Sequence, residues 1–131
     1  MAPLSNPDSV LDPRGLPPGY QLHPTLEITP RETKRLLDEG SDFILIDCRL
    51  PQEAAITRIE GGELIPLQQV QAHAERLKEW RDKKVVVYCR SGGRSLQFAQ
   101  LLKHNGFNDV KSMAGGILLW NKDVNPGGPQ Y

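Results

Sequence analysis

The 131-residue sequence has little that would place it in a specialised class. It contains two cysteines, too few for a disulfide scaffold, and a reducing, cytoplasmic location is the default expectation. It has no net charge, with sixteen basic residues against sixteen acidic ones. No global field therefore favours nucleic acid or an anionic membrane, and any anion binding must be local. Its longest apolar runs, such as Phe43-Ile44-Leu45-Ile46 and Ile117-Leu118-Leu119-Trp120, fall far short of the ~20 residues of a membrane span. The first residues lack a basic start followed by an apolar block, which predicts no secretory leader. His23, His73 and His104 lack metal-ligand spacing with the cysteines, so neither a metal nor a cofactor is expected.

The chain does carry strong punctuation. Residues 1–24 hold six of the eleven prolines and predict an extended arm, with Leu11, Leu16, Tyr20 and Leu22 as candidate anchors or else a mobile leader. Thr29-Pro30-Arg31-Glu32 predicts a capping box, and Gly40 a left-handed stop after Glu39. Residues 43–47 and 84–88 predict buried strands, residues 94–104 a helix, and residues 109–113 a third strand. Residues 67–80 predict one helix, whole or broken, and residues 117–122 a short one after the Gly115-Gly116 turn. Strands alternating with helices give an α/β class, a small parallel sheet with helices on both faces. The expected organisation is an arm over 1–24, one domain over 25–123 and a tail over 124–131.

One segment carries chemistry. Val85 to Tyr88 leads into Cys89-Arg90-Ser91-Gly92-Gly93-Arg94-Ser95 and then directly into a helix. In a parallel sheet the C-terminal end of a strand is where ligands bind. The helix N-terminus favours an anion, and the two glycines permit backbone amides to turn inward. Arg90 and Arg94 add positive charge, with Arg94 alternatively a brace for the loop through a carboxylate such as Asp47 or Glu53. All of these stabilise a thiolate, which at an ordinary pKa of ~8.5 is a minor species at neutral pH. Such a thiolate can attack sulfane sulfur and hold the resulting persulfide. Cys48, at the preceding strand end, reads as packing more readily than as a resolving thiol, and Trp80 and Trp120 read as packing residues.

The loop Cys89-Arg90-Ser91-Gly92-Gly93-Arg94-Ser95 resembles the active-site loop of the rhodanese family. Leu45-Ile46-Asp47-Cys48-Arg49 followed by Glu53 resembles that family's Asp-x-Arg strand end and downstream acidic residue. Met113-Ala114-Gly115-Gly116-Ile117-Leu118-Leu119-Trp120 resembles its closing Gly-Gly-x-x-x-Trp motif. The likeness spans about residues 25–122. It implies a sulfurtransferase with Cys89 as catalytic residue, the loop 90–95 binding substrate, and Asp47 and Arg49 supporting it. Thr57-Arg58 stands where many members have Gly-His, and Cys48 where many have Val; neither touches the loop.

The Arg58-Ile59-Glu60-Gly61 form, the Glu63-Leu64-Ile65-Pro66 stretch and the ending Asn125-Pro126-Gly127-Gly128-Pro129-Gln130-Tyr131 resemble the rhodanese domain fused to E1-like adenylyltransferases of molybdopterin and thiocarboxylate biosynthesis. That likeness implies thiosulfate or a persulfide as donor. It implies a thiol, cyanide or a ubiquitin-like sulfur carrier protein as acceptor, with a separate adenylyltransferase as partner and no nucleic-acid or membrane partner. Two other functions compete. A cysteine phosphatase or arsenate reductase also uses a thiolate in an anion cup, but with five residues between cysteine and arginine; here Cys89 and Arg94 are separated by four. A non-catalytic interaction module of the same fold is the third, and the retained Cys89 weighs against it.

Overall fold

A computed structural model describes residues 10–131, and the first nine residues of the predicted arm lie outside the described part. Five parallel strands form one sheet: β1 (Glu27–Ile28), β2 (Phe43–Asp47), β3 (Glu63–Leu64), β4 (Lys84–Tyr88) and β5 (Asp109–Met113). Their order is β1-β5-β4-β2-β3, which puts β4, the strand before Cys89, at the centre. β2 and β4 pair along their whole length, from Phe43 opposite Lys84 to Asp47 opposite Tyr88.

The two-residue period of a strand divides each strand between two cores. On one face Ile46, Cys48, Val85, Val87, Cys89 and Val110 pack with Leu77, Phe98 and Leu102 from helices α3 (Ala74–Lys78) and α4 (Gly93–His104). On the other, Leu45, Val86, Tyr88 and Met113 pack with Leu36 of α1 (Pro30–Asp38) and Ile117 of α5 (Gly116–Leu119). Every strand of the central pair is thus apolar on both sides, which is why it reads as a run rather than an alternation. The expected α/β sheet with helices on both faces is the one observed.

Several local expectations are modified. Thr29 caps α1 by accepting from the Glu32 N–H at 3.1 Å, but the Glu32 carboxylate pairs with Arg35, so only half of the capping box forms. Gly40 is left-handed as expected. The helix expected over 67–80 is a 3₁₀ stretch, Leu67–His73, followed by α3 and ending at Lys78. Leu67, Val70 and Leu77 pack against the same core, and the three-residue step from 67 to 70 suits the 3₁₀ repeat. α5 continues as a π-helical turn, Trp120–Val124. Sequence periodicity missed β1, β3 and the six-residue α2 (Pro51–Ile56), which buries no side chain.

Leu16 is buried with Ala114 and Leu119, and Leu11, Tyr20 and Leu22 pack against them. The described part of the arm is further tied by Arg31, which pairs with Asp123 and donates to the Pro13 carbonyl at 2.9 Å. The tail folds back over the domain, held by Asn121 donating to Pro129 O at 3.0 Å and Gln130 to Leu118 O at 2.9 Å. No described helix is long and apolar enough to cross a membrane.

Candidate active site

Cys89 is buried at the C-terminal end of the central strand and directly precedes the loop into α4. Gly92 occupies the N-cap position with a φ of 106°, a conformation costly for any residue with a Cβ. This turn aims the Gly92 N–H at the Cys89 sulfur at 3.1 Å and brings the Ser95 N–H to 3.4 Å. First-turn amides have no partner within a helix, so the cup uses donors that the helix leaves free. Arg90, Ser91 and Gly93 are exposed around its mouth.

Ser95 Oγ lies 3.4 Å from the sulfur and 2.7 Å from Ser112 Oγ of β5. With a thiolate at Cys89 the Ser95 hydroxyl is the donor, and Ser112 can supply its own proton to the Ser95 oxygen. Both serines are buried. Cys48 is equally buried and sits beside Cys89 on the neighbouring strand, one residue past the Asp47–Tyr88 pair and on the same face. Its N–H donates to the Tyr88 carbonyl at 3.0 Å, fixing that register.

These contacts set two opposite acidities. The Cys48 S–H, followed by the Ser95 hydroxyl and the Ser95 and Gly92 amides, holds the Cys89 thiol down to about 5 against the opposing effect of burial. Donation to Cys89, together with burial and the nearby negative charges, pushes the Cys48 thiol far above the ordinary thiol range. Among the described residues both cysteines are free, and no cluster of metal-binding side chains occurs.

The loop is anchored from beneath by the glycine pair after β5. Ile117 N–H donates to the Cys89 carbonyl at 2.9 Å and Leu118 N–H to the Arg90 carbonyl at 3.1 Å. A Cβ on Gly116 would stand 2.3 Å from Arg90 O and 2.6 Å from Cys89 O, at a φ of 61°. Only glycine permits this approach. Gly115-Gly116, read from sequence as a turn, is therefore also the clamp on the backbone that carries Cys89.

The charged residues do not converge on the sulfur. Asp47 and Arg49 lie on the opposite face of the sheet, where Arg49 is wholly buried and doubly bonded to Asp47 at 2.8 and 2.7 Å. Arg49 also donates to Thr57 O at 2.7 Å, and Tyr88 OH donates to Asp47 at 3.1 Å. Arg94 forms a two-bond pair with Glu53, at 2.7 and 2.9 Å. That pair holds the Glu53 carboxyl down to about 2, helped by the Leu50 N–H and the Tyr131 hydroxyl against burial. Arg90 donates through Nε at 2.6 Å to the main-chain oxygen of Tyr131, and also through Nη2. Arg94 thus takes the bracing role through Glu53 while its charge still reaches Cys89, and Arg90 is engaged by Tyr131.

Tyr131 was not expected here. Its hydroxyl accepts from Arg49 at 2.8 Å and donates to Glu53 at 3.0 Å, linking the bracket beneath the sheet to the Glu53–Arg94 pair. Glu53, Gly116 and Tyr131 stood in motif stretches of the sequence without a sign of what they touch, and Ser112 gave no signal at all.

Comparison with known proteins places this arrangement. The profile of the family described as "Rhodanese-like domain" matches residues 29–123. The probable adenylyltransferase/sulfurtransferase MoeZ of Mycobacterium tuberculosis is 38% identical over 99 residues, covering 76% of this chain and 25% of that protein. A sulfurtransferase of Allochromatium vinosum is 32% identical over 100 residues, covering 76% of this chain and 92% of that one. Among solved structures, the human single-domain sulfurtransferase TSTD1 superposes with a TM-score of 0.63 at 26% identity, covering 76% of this chain and 96% of that one. The chain spans about a quarter of the length of the MoeZ and maize MOCS3 relatives.

Proposed function

The chain belongs to the rhodanese-like family, and on that footing we propose that it is a sulfurtransferase carrying sulfane sulfur as a persulfide on Cys89. The observation that carries this reading is the buried Cys89 sulfur, held by the Gly92 and Ser95 amides and the Ser95 hydroxyl at the base of a six-residue loop. The Cys89 thiolate attacks the sulfane sulfur of thiosulfate or of a protein persulfide. An S–S bond forms to Cys89 while the donor's S–S bond breaks, and sulfite or the donor thiolate leaves with the electron pair. The persulfide's terminal sulfur then lies toward Arg90, Ser91 and Gly93, and the amides that held the thiolate remain close to the charge. An acceptor nucleophile takes the terminal sulfur and returns Cys89 as thiolate. In this reading Arg90 to Ser95 bind the transferable group. Asp47 and Arg49 brace the neighbouring strand end, and no metal or cofactor takes part.

The acceptor nucleophile is a thiol or cyanide. Where the acceptor is the C-terminus of a ubiquitin-like carrier protein, adenylated by a separate adenylyltransferase, the terminal sulfur of the persulfide is instead the nucleophile, and AMP leaves with the electron pair. Two thiols then reduce the acyl disulfide, releasing the thiocarboxylate and the Cys89 thiolate and leaving as their disulfide. The names of the MoeZ and MOCS3 relatives, which pair adenylyltransferase with sulfurtransferase, support that carrier route. A phosphatase reading fits the geometry less well: the loop holds four residues between Cys89 and Arg94, and the Arg94 guanidinium is committed to Glu53 instead of facing a tetrahedral oxyanion. Incubation with thiosulfate should raise the intact mass by one sulfur atom, removable by cyanide, in wild type but not in Cys89→Ser. Efficient aryl phosphate hydrolysis with no persulfide from any sulfane donor would overturn the reading.

A further inference from the structure

The face of β5 that packs against α4 is apolar up to one position. Val110 joins Val85, Val87, Phe98 and Leu102 in the core on that face, and Ser112 follows one strand period further on, opposite Val87 and fully buried. Such a position ordinarily carries an apolar side chain. Among the described residues the Ser112 hydroxyl has one hydrogen-bond partner, the Ser95 hydroxyl at 2.7 Å. The Ser95 hydroxyl has three: Ser112, the Gly92 carbonyl at 3.2 Å and the Cys89 sulfur at 3.4 Å. Each hydroxyl carries a single proton, so counting protons decides the directions. If Ser95 donated to Ser112, the buried Ser112 proton would be left without an acceptor, which is costly. Ser112 therefore donates to Ser95, and the Ser95 proton is left to the Gly92 carbonyl or the Cys89 sulfur.

We propose that Ser112 is a positioning residue for sulfur transfer: by filling an acceptor site on the Ser95 oxygen it keeps the Ser95 proton for the cup, where that proton supports Cys89 as it leaves the persulfide. The inference rests on the persulfide reading and concerns its second step, transfer to a thiol or cyanide. In the persulfide the inner sulfur carries little charge and is a weak acceptor, so the Ser95 proton turns to the Gly92 carbonyl. The acceptor then bonds to the terminal sulfur, the S–S bond breaks, and the electron pair collects on Cys89. As it does so the Ser95 proton swings to the sulfur, while Ser112 goes on donating to the Ser95 oxygen and polarises its O–H. A donor that strengthens as charge develops lowers the barrier of that step. Loading runs the other way: the thiolate gives up charge, and the same bond does not speed its attack. Without Ser112 the buried Ser95 oxygen is satisfied instead by the Cys89 S–H, which favours thiol over thiolate.

Ser112→Ala removes one oxygen atom from the core, and two measurements read the result. The midpoint of Cys89 alkylation against pH should rise by about half a unit, a roughly threefold shift in the ratio of thiol to thiolate. In single turnovers well above that midpoint, discharge of the preloaded persulfide to cyanide should slow about threefold to tenfold, a part of the roughly hundredfold that a donor in direct contact is worth. Loading from thiosulfate should change by less than about twofold, because the bond is not strengthened in that transition state. In a Ser95→Ala background, Ser112→Ala should change neither reading, since the relay acts through Ser95. The double variant leaves no orphan hydroxyl and so keeps its fold. Equal slowing of both steps, an effect that persists in the Ser95→Ala background, or an unmoved midpoint overturns the role of Ser112. Failure of wild type to accept sulfur from either thiosulfate or cysteine persulfide would instead sink the sulfur-transfer reading, and the alkylation midpoints would still report on Ser112.

Discussion

Cys48 and Cys89 are equally buried, lie side by side on neighbouring strands and face the same core, yet the fold drives them to opposite acidities. Burial alone raises both, because it penalises the charged form. What separates them is the chain that follows. After Cys89 comes a glycine turn and the first turn of a twelve-residue helix, whose amides point back at the sulfur. After Cys48 comes Arg49, whose side chain crosses to the other face and is consumed by Asp47. Among the described residues Cys48 has no such donors, and beside the Cys89 thiolate it stays a thiol. The pair teaches that a reactive cysteine is made by the donors around it.

The largest test of that contrast is to exchange the roles. Cys89→Ser should abolish persulfide formation, a loss of at least about a thousandfold for a removed nucleophile. Cys48→Ser should retain it, and a persulfide mapped to Cys48 would erase the distinction. The pH dependence carries the same information. In native protein, alkylation of Cys89 should titrate near 5, while Cys48 stays unlabelled. Because the folded-state value lies below the unfolded one of ~8.5, the thiolate contributes stability that is full above that pH and lost as pH falls through about 5. The stability advantage of wild type over Cys89→Ala, followed by urea unfolding, should accordingly shrink across that window on acidification.

Next in size is the clamp beneath the loop. Gly116→Ala forces a Cβ into the Cys89 and Arg90 carbonyls and should cost about 2–4 kcal/mol of stability, as backbone strain and lost loop bonds do. Its Cys89 should also lose its acidity, which a denaturation curve and an alkylation profile would record together. Normal stability in this variant would show that the loop does not depend on the glycine approach.

The smallest effects sharpen the division of labour among donors. Cys48→Ala should move the Cys89 alkylation midpoint upward by about one pH unit, the worth of a single bond to a charged group, ~1.4 kcal/mol. Ser95→Ala should move it in the same direction by less, because the Ser95 and Gly92 amides remain. If Cys48→Ala leaves the midpoint in place, the helix amides alone create the thiolate and Cys48 is packing.

The sequence by itself determined the central architecture and the position of the reactive sulfur. Residues 43–47 and 84–88 are apolar without interruption because both faces of each strand are covered, and no other short element satisfies such a run as well. Strand, cysteine, Gly92-Gly93 and helix follow one another within the chain, so the cup's donors are local and legible. What depended on partners distant in sequence was not. β1 and β3 exist only through pairing with β5 and β2, and α2 buries no apolar face that periodicity could reveal. Arg94 meets Glu53 across 41 residues, Ser95 meets Ser112, and Gly116 meets the carbonyls of Cys89 and Arg90. Tyr131 reaches Arg49, Glu53 and Arg90 from the other end of the chain. A sequence pattern reports which groups a segment carries and how the segment repeats. Which group each arginine braces, and which sulfur receives the hydrogen bonds, was decided only when the tertiary fold paired them.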